Sequence, residues 1–264
     1  MFRVELSKAL WRVRTWVFAA GLALMAVLPA ILLSTSSDAS GGPAFFDQVR
    51  HNGLFGSLAA LGFMQPFALP LGTGLLSGEA IATEASSGTL RYLLVRPVGR
   101  RRLIVTKYLS VLAQVGAAVL WVMIVGAVAG GIAFGFGPFA TLSGTTISAG
   151  AAALRILAAG GYVLAGVAGV AAIGMLISTL TTSGPGATAG TVAIALASQI
   201  LDNLSSLRAV HPFLPTHGWL AYVDLFRSPV GLGAIEHGLV LFAAYTAIFL
   251  GATLAVFSRK DVVS

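Results

Sequence analysis

The sequence predicts an all-α membrane protein with six transmembrane helices and an N-terminal amphipathic helix at the membrane interface. Hydrophobic residues make up 57% of the 264 positions and charged residues only 9%, and the mean hydropathy is +0.91, far more apolar than a soluble domain. The apolar residues form continuous runs long enough for the roughly 20 helical residues that cross a bilayer, without the alternation of β-barrel strands. The chain has no cysteine, which excludes disulfides and thiolate metal sites.

Residues 1–15 predict a helix that lies in the plane of the lipid headgroups. Its apolar stripe runs from Phe2 to Trp16, and basic residues such as Arg3 and Lys8 lie off the stripe, where they can face anionic lipid. A secretory signal peptide is the alternative for a basic start before an apolar run. The uncharged run 15–37 is nearer a full span than a short signal core, which favours the interfacial helix.

Residues 16–76 predict the first two spans, at Trp16–Leu33 and Leu54–Leu76, with a polar loop between them. Gln65, Pro66 and Pro70 lie near the middle of the second span. Proline frees backbone carbonyls and bends a helix, which membrane proteins tolerate when neighbours satisfy the freed groups. We therefore expect a kinked second span.

The rest of the chain predicts four more spans after a charged connector at 77–107. Residues 108–201 hold spans three to five, divided by a Gly-, Pro- and hydroxyl-rich loop after Phe134 and a tight turn at 181–186. The three spans are Tyr108–Phe134, Ile156–Leu180 and Ala187–Leu201, the last of them short. An external, partly membrane-facing segment at 202–237 then leads to span six at 238–257.

The basic residues predict that both termini face the cytoplasm. Six spans place the termini and the connector on one side, which holds twelve of the sixteen Lys and Arg residues, and such residues favour the cytoplasmic side. These are Arg3, Lys8, Arg12, Arg14, Arg91, Arg96, Arg100, Arg101, Arg102, Lys107, Arg259 and Lys260. Only Arg50, Arg155, Arg208 and Arg227 fall opposite. The pI of 10.4 is explained by this orientation, and no nucleic-acid partner is expected.

Small residues recur at a spacing that lets membrane helices approach closely. The pairs include Gly126 with Gly130 and Gly186 with Gly190. Packing within one subunit and a dimer face are both open interpretations.

The connector, which reads EAIATEASSGTLRYLLVRPVGRRRLIVTK from residue 79, is a long basic island between two uncharged runs. Leu90, Leu93 and Leu94 are spaced to share one side of a short helix that Pro97 ends. A short apolar surface ringed by arginines can dock into a groove of a soluble partner. The alternative is an interfacial helix that only anchors the loop.

The connector resembles that of ABC-2 type transporter permeases. Gly88 and Thr89 match a Gly-Thr pair, Pro97 a proline, and Arg100 and Lys107 an arginine and a lysine that lead into span three. The six-span layout resembles the family across the chain, so residues 1–264 are expected to form one transmembrane domain. The sequence departs from the family at Gly99, where many relatives carry a serine or asparagine that caps the third helix.

The resemblance implies a transmembrane subunit of an ABC exporter in the cytoplasmic (inner) membrane of a prokaryote. Such a subunit pairs with a second permease, identical or homologous, and with two cytoplasmic ATPase subunits that bind ATP and Mg²⁺, so this chain is expected to bind no cofactor. The resemblance assigns ATPase coupling to Glu79, Glu84, Gly88, Thr89, Leu90, Arg91, Leu93, Leu94, Arg96, Pro97 and Arg100. The two acidic residues, at the inner end of span two, are expected to bridge to the N-terminal helix or to the partner.

The motifs of other chemistry are absent from the sequence. No GxxxxGK[ST] phosphate loop, HExxH or GxSxG occurs, so no catalytic residue is predicted. His211 and His217 lack a carboxylate at ligand spacing, so no metal site is predicted. A secondary transporter is disfavoured because internal repeats and charged mid-membrane sites are missing, whereas a non-transporting scaffold or immunity-type protein stays open.

Three intramembrane glutamines are candidates for a transport pathway. Gln65, Gln114 and Gln199 are polar groups within apolar spans, and such groups often mark function. Amides also form purely structural hydrogen bonds between helices. Both interpretations are open, and the residues do not identify the substrate.

Overall fold

The computed structural model describes residues 13–35, 46–86 and 99–259, and this part of the chain is mostly helical. Its helices are α1 (Val13–Thr35), α2 (Phe46–His51), α3 (Gly56–Met64), α4 (Ala68–Ser86), α5 (Arg100–Phe134), α6 (Ala149–Leu180), α7 (Gly184–Asp202) and α8 (Leu232–Arg259). The predicted interfacial helix at 1–15 lies almost entirely outside the described residues. Helices α4 and α5 continue into the predicted connector from both sides, so its first and last turns are helical.

Four of the described helices, α1, α5, α6 and α8, are long and apolar enough to cross a membrane. Helices α3 and α4 make a fifth candidate if they are counted as one span bent by 63°. The fifth predicted span, Ala187–Leu201, corresponds to α7, a helix of 19 residues that is about 28 Å long. It is not among the candidates, so the described structure supports four or five spans.

The long helices run in alternating directions, because their ends meet in two groups. At one end, Ser178 near the end of α6 contacts Gly78 of α4, and Arg100 at the start of α5 contacts Ser258 at the end of α8. We call this the connector end. At the opposite, far end, Asn52 before α3 donates to the carbonyl of Gly137 after α5.

Helix α6 is the centre of the bundle. In its most apolar stretch 67% of the residues are buried, against 11% in α8. Two glycines of α5, Gly126 and Gly130, pack against Gly56 and Gly53 at the start of the bent span, and a Cβ added at Gly126 would lie 2.6 Å from the Gly56 oxygen. This small-residue pair therefore packs within the subunit.

The far end is covered by a short β-hairpin and three 3₁₀ turns. The all-α prediction did not include the hairpin. Strands β1 (Phe139–Ala140) and β2 (Thr146–Ile147) form an antiparallel hairpin between α5 and α6. Three 3₁₀ turns follow α7, at 205–207, 211–213 and 221–226. The stacked rings of Phe55 and Phe139, with centroids 4.2 Å apart, and the nearby Phe226 join the hairpin to the last of these turns. Here burial raises the pKa of Tyr222, which keeps the hydroxyl neutral.

Candidate functional site

The two ends of the connector are joined by an ion pair at the connector end. Glu84, near the end of α4, accepts a hydrogen bond from Lys107 Nζ, about two turns into α5, at 2.7 Å. The Lys107 side chain is 8% exposed and that of Glu84 is 25% exposed. A charge buried to this degree needs its partner, so the pair fixes the spacing of the two helices from which the connector emerges.

Arg100 links the same end to the last helix. Its guanidinium donates to the Ser258 carbonyl at 2.8 Å and lies 3.4 Å from the Phe257 carbonyl. The last carbonyls of a helix have no partner within the helix and carry partial negative charge, which a guanidinium neutralises. Gly99, the N-cap of α5, makes no side-chain cap, as its departure from the family pattern predicts.

Helices α4 and α6 are joined by a hydroxyl inserted into the backbone of α4. Ser178 Oγ donates to the Gly78 carbonyl at 2.6 Å and accepts from the Ile81 and Ala82 amides at 3.1 and 2.9 Å. Ser178 is fully buried, so these bonds have no competition from water. The sequence prediction missed Ser178, and a single hydroxyl in an apolar span is too weak a signal to find it.

Glu79 lies about one and a half helical turns before Glu84, where α4 meets the start of α7. A Cβ added at Gly184 would lie 3.4 Å from Glu79 Cγ and 2.9 Å from Thr83 Oγ1. Glu79, Glu84 and Arg100 are thus brought to one end of the bundle. The other predicted coupling residues lie outside the described part of the chain, so their role stays a prediction. They are Gly88, Thr89, Leu90, Arg91, Leu93, Leu94, Arg96 and Pro97.

Two of the three predicted pathway glutamines meet at the bend between α3 and α4. Gln65 Nε2 donates to the Trp219 carbonyl at 2.9 Å, and Gln199 Nε2 donates to the Pro66 carbonyl at 2.9 Å. In a helix that carbonyl would accept from residue 70, but Pro70 has no N–H. Gln199 of α7 thus satisfies the carbonyl that the proline frees.

Gln114 does not share this cluster, because it donates to the Ser110 carbonyl of its own helix at 3.1 Å. All three amides therefore have a structural hydrogen bond, but Gln65 and Gln199 bond to distant parts of the chain and Gln114 bonds only within its own helix. Gln65 also has one buried polar atom without a hydrogen bond. The residue is 3% exposed, and its Oε1 has no hydrogen-bond partner among the described residues. It is the glutamine best placed to meet a polar group in the bundle.

A carboxylate joins the two histidines of the external segment. Asp202 Oδ1 lies 2.7 Å from His217 Nδ1 and 3.8 Å from His211 Nδ1. The sequence prediction considered only carboxylates at ligand spacing, so it missed Asp202, which lies 15 residues before His217. Within residues 13–35, 46–86 and 99–259, no group of three or more potential ligands is arranged to hold a metal.

Basic residues occur at both ends of the described bundle. The connector end holds Arg100, Arg101, Arg102, Lys107 and Arg259, and the far end holds Arg50, Arg155, Arg208 and Arg227. At the far end two of them, Arg155 and Arg227, are linked through the Arg227 carbonyl at 3.3 Å. The excess of Lys and Arg at the connector end is larger in the whole sequence than in the described residues, because several of the basic residues lie outside the described part of the chain.

The apolar helices and the polar cluster at one end define a multi-pass membrane protein. A family model described as ABC-2 family transporter protein matches residues 1–183, which is more than half of the chain. The chain therefore belongs to the ABC-2 family of transporter proteins. No curated protein matches the chain significantly. The family match includes the first six helices and the whole connector, and it ends just before α7.

Proposed function

We propose that the chain is the transmembrane permease subunit of an ATP-driven ABC exporter in the cytoplasmic (inner) membrane of a prokaryote. In this proposal α7 also crosses the membrane, which brings the number of spans to six, and the termini and the connector face the cytoplasm. The chain pairs with a second permease, identical or homologous, and with two ATPase subunits that bind ATP and Mg²⁺. Membership of the ABC-2 family and the alternation of the helices support it.

The ion pair between Glu84 and Lys107 is the observation that carries the proposal. It joins α4 and α5 at the two roots of the connector, so a force applied to the connector acts on both helices together. Ser178 carries a movement of α4 to the central helix α6, and Arg100 carries a movement of α5 to α8. Contacts of this kind are what alternating access requires of the end that meets the ATPases.

The proposed coupling mechanism uses these contacts. ATP binding closes the ATPase pair, and the predicted short helix around Leu90, Leu93 and Leu94 follows the moving groove. The displacement reaches the bundle through the roots of the connector. The bend at Gln65 to Phe67 divides the second span, so α4 can tilt while α3 keeps its glycine contacts with α5.

Co-purification and one substitution test the proposal. The tagged chain is expected to bring down an ATPase subunit in comparable amount, and Leu93→Asp is expected to abolish ATP-dependent transport while insertion in the membrane stays intact. The matched control is Tyr92→Asn, a polar substitution in the same predicted helix that leaves its leucine side intact. Undiminished transport by Leu93→Asp in reconstituted vesicles would contradict the coupling role. Absence of any ATPase would favour the scaffold or immunity-type alternative.

A further inference from the structure

A lipid-facing groove lies between α1 and α5, outside the cluster at the connector end. Its volume is about 520 Å³, and Val27 and Ile31 of α1 and Trp121, Val128 and Ile132 of α5 line it. This is within the range of about 300–1,000 Å³ typical of small-molecule sites. The groove occupies the half of the bundle nearer the far end, because the later turns of both helices form it.

The lining offers no free hydrogen-bond donor. Its two polar side chains are Ser34 and Trp121. Ser34 Oγ donates to the Ile31 carbonyl at 2.8 Å, and Trp121 Nε1 donates to the Ala19 carbonyl at 3.0 Å. A polar ligand would lose its hydrogen bonds to water without replacement, so the chemistry of the groove selects hydrocarbon.

The length of the groove matches one leaflet of a bilayer. It follows α5 from Trp121 to Ala133, which is about 18 Å of helix. Half of the hydrocarbon core is about 15 Å thick. An extended acyl chain from one leaflet therefore fills the groove along its length, with its methyl end near Trp121.

We propose that this groove is a binding site for one acyl chain of a membrane phospholipid. The bound acyl chain fills the space that the side chains of α1 and α5 leave between the two helices. Dispersion contacts along the groove hold the acyl chain in place. Because the groove lies nearer the far end, the acyl chain belongs to the outer leaflet when the connector end is cytoplasmic, and this assignment rests on the proposed function. The binding itself does not depend on any ATPase.

Retention of lipid by the purified protein tests the site. The full protein is reconstituted in phosphatidylcholine, extracted in mild detergent and measured by native mass spectrometry. Wild type is expected to keep one more phospholipid per protein chain than Ala129→Phe, because the phenyl ring introduced at position 129 fills the groove. Ala247→Phe, on an exposed position of α8, is the matched control and is expected to keep the wild-type number. Equal numbers in wild type and Ala129→Phe would overturn the proposal.

Fluorescence gives a second test that does not depend on the stability of the filled variant. The contribution of Trp121 is the difference between wild type and Trp121→Phe. Its quenching by phosphatidylcholine brominated near the methyl end is expected to saturate at a low mole fraction and to exceed at least twofold the quenching by chains brominated near the carboxyl. Quenching in simple proportion to the bulk fraction would overturn the proposal, as would a disulfide between two copies of Ile132→Cys. Neither result would bear on ATPase binding or transport.

Discussion

Removing either charge of the Glu84 and Lys107 pair should destabilise the bundle, and by unequal amounts. At 2.7 Å the direct attraction is about 6 kcal/mol for an effective dielectric constant of about 20, and desolvation of both groups offsets part of it. Lys107 is the more buried partner, at 8% against 25% exposure. Glu84→Gln, which removes the carboxylate partner of the more buried Lys107, should therefore cost about 3 kcal/mol. Lys107→Met, which removes the ammonium partner of the less buried Glu84, should cost about 2 kcal/mol.

A double-mutant cycle isolates the interaction. Glu84→Gln with Lys107→Met removes both charges, so it should cost about 2–3 kcal/mol, which corresponds to a coupling energy of about 2–3 kcal/mol. Reversible unfolding in mixed SDS micelles measures all four proteins, and Arg102→Met, an exposed basic residue on the same turns of α5, is the control with an expected change under about 0.5 kcal/mol. A coupling energy within error of zero, or a larger cost for Lys107→Met than for Glu84→Gln, would refute the reasoning.

Two other substitutions test the packing of the bundle by the same unfolding measurement. Gly126→Ala should cost about 1–3 kcal/mol, because its Cβ would meet the backbone oxygen of the opposing glycine at 2.6 Å. Gly161→Ala, whose Cβ would meet nothing within 4 Å, is the control and should be neutral. Equal effects of the two substitutions would argue against close backbone contact at Gly126. Ser178→Ala should cost about 1–3 kcal/mol because it removes the hydroxyl that donates to the Gly78 carbonyl. Ser86→Ala, at an exposed position, is the control and should cost far less. Similar stability of the two variants would count against a stabilising role of the Ser178 hydroxyl.

Hydropathy predicts the long helices well, because a span is specified by a local run of apolar residues. The same reasoning ends helices where charge begins, and it therefore places Glu84 and Lys107 in the connector. In the structure α4 reaches Ser86 and α5 begins at Arg100. Glu84 of α4 and Lys107 of α5 form an ion pair with each other, so both helices can include a charged residue without leaving it unpaired.

The contacts between distant parts of the chain could not be predicted from spacing. Asp202 meets His217 because α7 ends beside a turn that folds back on it, and Gln199 meets Pro66 because α7 packs on the bend. The bend itself was predictable, since proline removes a backbone donor whatever its neighbours are. The hairpin around Phe139 was not, because strands of two residues carry no alternating pattern.

The contact between Arg100 and the end of α8 has a practical consequence for anyone who attaches a label to this protein. The end of α8 lies beside the start of α5, so a fluorescent protein or affinity tag attached directly after Arg259 would begin close to the root of the connector. Such a fusion would crowd the surface where the ATPase is proposed to bind. A long flexible spacer before the tag would leave that surface accessible.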